Sequence, residues 1–162
     1  MPSSYFDDVR ARHEPSDVSA LRVFLALRAG ARRVDHAVNG WLQRSDLNVT
    51  KFDVLQLLSL HPAGETIGRL REQLRMTQPN VTLVVQSLER DGFLERLSDP
   101  ADRRSTIARI TPAGVAIVER LTPSHLAAIG SAIAQIPERD RERLIEMLAT
   151  IAESFEAVED SP

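Results

Sequence analysis

A change of hydrophobic period at Gly92 constrains this chain more than any other feature. Upstream, Val81, Val84, Val85 and Leu88 recur at helical spacing, one buried face of an amphipathic helix. Downstream, residues 93–97 and 106–110 form two short runs of extended character. Gly92 supplies the left-handed residue that ends a helix. Thr77 is the expected N-cap, before a first turn that tolerates Pro79 because a proline there removes an N–H with no intrahelical partner. Ahead of it, Ile67, Leu70 and Leu74 predict a shorter helix, joined through a brief turn at Arg75 and Met76. Residues 66–112 therefore read as helix, tight turn, helix and two-stranded ribbon, the layout of a winged helix-turn-helix.

The side chains on this frame point to nucleic acid. Gln78, Asn80 and Thr82 lie at the start of the second helix, with short hydrogen-bonding groups of the kind that read base edges; Asn and Gln suit adenine N6 and N7. Helix capping is the competing use of the same residues. The loop between the extended runs, SDPADRRS, carries Arg103 and Arg104, and a hairpin tip with paired guanidiniums can reach a phosphate or a narrow minor groove. Asp102 lies two residues before Arg104 and could hold that fork. The expected DNA contacts are thus Arg75, Thr77, Gln78, Pro79, Asn80, Thr82, Asp102, Arg103 and Arg104.

The segment LERDGFLERLSDPADRRSTIARITPAG resembles the MarR family, dimeric winged-helix transcription regulators of bacteria and archaea. The family's wing pattern, D-x-R-x-x-x-x-x-L-T, is matched by Asp102, Arg104, Ile110 in the leucine place, and Thr111. The likeness extends over roughly residues 20–156. Many members carry arginine directly after the threonine equivalent to Thr82 and again four residues later, where this chain has Leu83 and Ser87. The resemblance implies a dimer that places one recognition helix per subunit in a pseudo-palindromic duplex. It also implies a repressor released by a small aromatic or anionic effector bound between the dimer base and the DNA lobe.

The rest of the chain fits that plan. Residues 1–17 have no sustained period and read as a flexible arm or at most one helical turn. Residues 18–48 form an N-terminal dimerisation segment, with a helix over 18–44 whose stripe includes Leu21, Phe24, Leu27, Val34, Val38 and Trp41, capped by Ser16 or Asp17. On its flank Arg32 and Arg33, with His36 and Trp41, are candidates to line an effector pocket; a solvated face is the plainer alternative. Thr50 and Asp53 resemble a capping box before an almost wholly apolar helix that ends at His61, Pro62 and Gly64. Residues 49–111 make up the DNA-binding lobe. Residues 112–157 form C-terminal dimerisation helices: Thr111 and Pro112 open one, Pro123 should kink or divide it, and Pro137 stops it. The last offers Leu144, Leu148, Ile151 and Phe155 as an apolar stripe that needs a second chain. The fold class is mainly α (α+β), one compact domain overall.

Charge refines the picture. The net charge of −3 argues against a generic nucleic-acid coat. Residues 65–111 nevertheless carry eight arginines against seven acids, leaving twelve basic and sixteen acidic groups elsewhere. Binding should therefore rely on a few placed arginines. The absence of cysteine excludes disulfides and thiol sensing. His13, His36, His61 and His125 are scattered and suggest no metal site, and no nucleophile or phosphate-loop motif occurs. The expectation is a cytoplasmic non-enzyme without cofactor, metal or membrane span. Its partners are double-stranded DNA, a second copy of itself and a small-molecule effector. The competing reading is a winged-helix protein-interaction module with weak or no DNA binding.

Overall fold

A computed structural model of the chain describes residues 8–9, 11–100, 102 and 105–159, with side chains as far as 155. It divides into two units, residues 1–115 and 116–162, each taken by itself.

Pro15 sets where the long first helix of this unit begins, after a turn in which the Arg12 and His13 N–H groups both bond to the Val9 carbonyl at 3.1 Å. Helix α1 spans Pro15–Leu42, three residues ahead of the expected start, because Glu14 adopts the extended N-cap conformation and the proline occupies the first turn. Ser16 and Asp17, expected as caps, lie inside that turn, so residues 15–17 belong to the helix instead of the arm. Much of the remaining arm, residues 1–7 and 10, lies outside the described residues. A 3₁₀ turn at Gln43–Ser45 leads to α2, Val49–Ser59. Its cap is Asn48, whose side-chain oxygen accepts from the Lys51 N–H at 2.8 Å, and not the expected Thr50–Asp53 pair. Asn48 wins because it already has the extended backbone that a cap requires. Asn39 of α1 accepts from the Val49 N–H at 2.9 Å, so the end of one helix satisfies the start of the next.

Helix α2 is apolar on nearly every side, and Phe52, Val54, Leu55 and Leu58 are all within 1% of full burial. Around it are arranged β1 (Glu65–Thr66), α3 (Ile67–Gln73), α4 (Gln78–Arg90), β2 (Leu94–Ser98) and β3 (Thr106–Ile110). Leu70 from α3, Val81, Val85 and Leu88 from α4, Leu94 from β2 and Ala108 from β3 complete the core. The ribbon has a third strand that no sequence pattern announced: β1 pairs antiparallel with β3, Glu65 opposite Ala108, giving the order β1-β3-β2. Glu65 is a buried carboxylate, and its oxygens are met by His61 Nδ1 at 3.3 Å and Arg69 Nε at 3.7 Å.

Helix α5, Pro112–Ile133, crosses the boundary between the units. Its start holds the expected cap: Thr111 Oγ1 accepts from the Gly114 N–H at 3.2 Å and donates to the Gly92 carbonyl at 2.8 Å. In the second unit Pro123 does not divide the helix. The proline withholds an N–H from its own preceding turn. Thr122 donates its hydroxyl to the Val118 carbonyl at 2.8 Å and Ser124 to the Leu121 carbonyl at 3.0 Å, neither of them the Glu119 carbonyl that loses its helical donor; the turns on both sides hold and the helix runs on to Ile133. Helix α6, Glu138–Glu159, opens with Glu138 and Asp140 at its positive end. Among the described residues no helix is long and apolar enough to cross a membrane.

Candidate nucleic-acid interface

The site begins with a turn that two helices share in form. At the end of α4 the Phe93 N–H bonds to the Leu88 carbonyl at 2.9 Å, with Gly92 at φ 78°. At the end of α3 the Met76 N–H bonds to the Arg71 carbonyl at 2.9 Å by the same closing pattern. Here the left-handed residue is Arg75, at φ 49°. A side chain in that region costs about 1–2 kcal/mol where glycine would be free. The turn therefore carries a guanidinium at an energetic cost, in the position where the second helix of the pair starts.

Thr77 sits at the N-cap of α4 with the required extended backbone, but its side chain makes no capping hydrogen bond, contrary to expectation. Thr77, Gln78, Pro79 and Asn80 are all exposed, while Thr82 is half-buried. The Thr82 hydroxyl donates to the Gln78 carbonyl at 2.9 Å, which fixes its rotamer and leaves its lone pairs as acceptors. A cleft of about 410 Å³ opens between the starts of α3 and α4 and the root of the wing. It brings Gln78, Thr82 and Asp102 together with Ile67, Gly68, Arg96 and Thr106. The last four were not singled out as site residues in the sequence; for Arg96 and Thr106 alternation along β2 and β3 was the available signal, but it does not say which face meets a helix. The wing closes through Asp99 N–H to the Ser105 carbonyl at 3.2 Å and Ser105 N–H to the Asp102 carbonyl at 2.8 Å. Arg103 and Arg104 lie outside the described residues.

Three ion pairs hold this surface in place. Arg96 of β2 meets Glu89 of α4 at 2.8 Å, Arg109 meets Glu95 across the ribbon at 2.8 Å, and Lys51 meets Asp91 at 2.7 Å. Arg96 and Arg109 raise the basic count of the lobe, yet both are neutralised internally. Arg90 donates to the Ser87 hydroxyl at 3.1 Å, keeping a guanidinium over the exposed side of α4.

The expected effector residues do not all lie on one side of α1, although Arg32 and His36, four residues apart, do. Arg32 lines a groove of about 690 Å³ along α1 with Arg22, Val23 and Ala29. Arg33 and His36 are exposed. Trp41 stands edge-on to Phe52, ring centroids 6.3 Å apart. At about 100° per residue, nine residues carry Trp41 to the side of the helix opposite Arg32, so the two cannot share one cavity of a single protomer. Among the described residues no cluster of His, Cys, Asp and Glu could hold a metal ion.

Residues 47–106 match the model of the MarR family. The chain is 30% identical over 132 residues to the HTH-type transcriptional regulator MhqR of Bacillus subtilis, covering 82% of this chain and 90% of that one. The chain belongs to the MarR family. Solved MarR-family structures share its fold. That of Sco3205 from Streptomyces coelicolor, in complex with DNA, superposes with a TM-score of 0.80 at 20% identity, covering 88% of this chain and 90% of that one. The S. aureus MepR–DNA complex gives 0.76 at 22% identity, over 81% of this chain and 96% of that one. As a MarR-type protein the chain is a transcription regulator, and its helix-turn-helix and wing are the parts that the family model spans.

Proposed function

We propose that this regulator acts as a homodimeric repressor, each subunit laying the start of α4 in a major groove while the wing tip tracks the flanking backbone. One observation carries the reading: exposed Gln78 shares a cleft with the root of the wing, and exposed Asn80 lies two residues further along the same helix start. Base reading and backbone contact can then be made at once. Two-fold symmetry sets half-sites about one helical turn apart. Arg75, Thr77, Pro79 and Thr82 position the helix, and Asp102 orients Arg104 toward the phosphates. The protein works in the cytoplasm, catalyses no reaction, and is released by a small anionic or aromatic ligand. Such a ligand need favour one spacing of the two recognition helices by only about 1–3 kcal/mol to change occupancy appreciably. Arg32, in the α1 groove, is the retained candidate for its charge partner, with His36 one turn on along the same side of the helix; Trp41 could join such a site only through the second subunit.

The test is a gel shift against the gene's own upstream region at low and moderate salt. A sequence-selective, salt-sensitive complex supports the reading, and Arg104→Ala should weaken it about tenfold or more. No selective shift, or an Arg104→Ala protein of unchanged affinity, favours the protein-interaction module instead.

A further inference from the structure

Leu83 is the feature of the α4 surface that the reading above leaves unused. It is 64% exposed, although α4 otherwise turns its apolar residues inward, with Val81, Val85 and Leu88 at no more than 1%. At about 100° per residue, Pro79, Leu83, Gln86 and Arg90 stand opposite that core face. Leu83 therefore sits at the middle of the outward side, one turn beyond Pro79 and Asn80. An apolar side chain held in water there gains free energy from any partner that covers it.

Two partners are physically available, and their sizes separate them. A protein docking on apolar contacts needs a contiguous patch of several hundred Å². Exposed Asn80, Gln86 and Arg90 surround Leu83 on the same helix and interrupt any such patch. A major groove, by contrast, presents an apolar target of the size of a single side chain: the C5-methyl of thymine. Phosphates offer Leu83 nothing, since it has no donor.

We propose that Leu83 is a specificity-determining residue that selects a thymine in each half-site through its C5-methyl, with Pro79 shielding the same contact. The inference rests on α4 being the recognition helix. It assigns Asn80 and Gln78 to hydrogen-bonded base edges and Leu83 to the neighbouring step, so that one helix face reads both polarity and shape.

The experiment uses the full-length wild-type protein and a random-sequence duplex library. The enriched sequence is synthesised with each thymine replaced in turn by deoxyuridine, symmetrically in both half-sites, which removes one methyl and no hydrogen-bonding group. Affinities of wild type and Leu83→Ala are read by fluorescence anisotropy, and unchanged thermal melts show that this surface substitution leaves the fold intact. The expected result is one thymine position at which loss of the methyl weakens wild type about fourfold per half-site, while Leu83→Ala binds both duplexes equally. The inference is overturned if both proteins lose the same factor, if no thymine position is sensitive, or if the selected half-sites contain no fixed thymine. If selection enriches no sequence at all, the recognition-helix reading itself fails and takes the role of Leu83 with it.

Discussion

In the DNA-reading lobe Phe52, Leu55, Leu58, Leu70, Val81 and Leu88 are within 1% of full burial, whereas in the second unit Leu126, Ile129, Ile133, Leu144, Leu148 and Phe155 stand 39–60% exposed. Each region has ample apolar side chains, but only the lobe has elements enough to cover its own. Two helices and three strands close around α2, while the apolar side chains just named in residues 116–162 stay exposed. The middle of α1 shares that condition, with Val23 and Val34 at 53% and 61%. The lobe is thus a self-sufficient core, and the flanking helices are half of one. A second copy of the chain completes the other half under the proposed dimer, since closed two-fold symmetry sets the same patch against itself.

The largest test of this contrast is to charge the open face. Leu148→Glu should yield a monomer by sedimentation equilibrium while the lobe keeps its folded signal. Operator affinity should fall at least about a hundredfold, because two half-sites no longer bind as one. A Leu148→Glu protein that stays dimeric with unchanged affinity would show that the exposed stripe serves something else.

A smaller effect is expected where the lobe hands over to α5. Gly114 lies so close to the end of α4 and the start of the wing that a Cβ built there would meet the Phe93 carbonyl oxygen at 2.2 Å and Ile110 Cγ1 at 2.6 Å. The obstructing oxygen belongs to the backbone, so the helix start must move. Gly114→Ala should cost about 1–3 kcal/mol of stability, read from denaturant unfolding, with the association state unchanged. Loss of the dimer instead would place the defect on the wrong side of the comparison.

The contrast also explains what could be read in advance. Gly92, the Thr111–Pro112 start and the spacing of Val81, Val85 and Leu88 on α4 are local signals, decided by backbone conformation and one helix face, and each is found where the pattern put it, while Val84, expected on the same face, is half-buried at its edge. The two residues of β1 are too few to show alternation; they become a strand only because β3 offers them an edge. The cap at Asn48 was hidden by Thr50, which has suitable chemistry but falls inside the first turn. At Pro123 the proline rule names the bond that is lost but not whether the turns on both sides hold, and the helix runs on to Ile133. At the candidate site the polar start of α4 was legible from residue type. The cleft that gathers Gln78, Thr82 and Asp102 was not, since the fold must first bring the wing root against α3 and α4.

Arg75 offers the smallest measurement, because relief of its backbone and loss of its charge are read in different experiments. Its φ of 49° is where glycine is unstrained, as Gly92 shows at the matching turn after α4. Arg75→Gly relieves about 1 kcal/mol of backbone strain, partly offset by the greater freedom glycine gives the unfolded chain. The backbone contribution alone therefore changes the midpoint of thermal unfolding little. The exposed guanidinium is lost, and with it a charged contact to DNA, so affinity should fall about tenfold and its salt dependence should become shallower by about one counterion. Were Arg75→Gly instead to destabilise the lobe and leave the salt dependence unaltered, the arginine would be there to hold the turn, and the left-handed residue between the two helices would have no claim on the duplex.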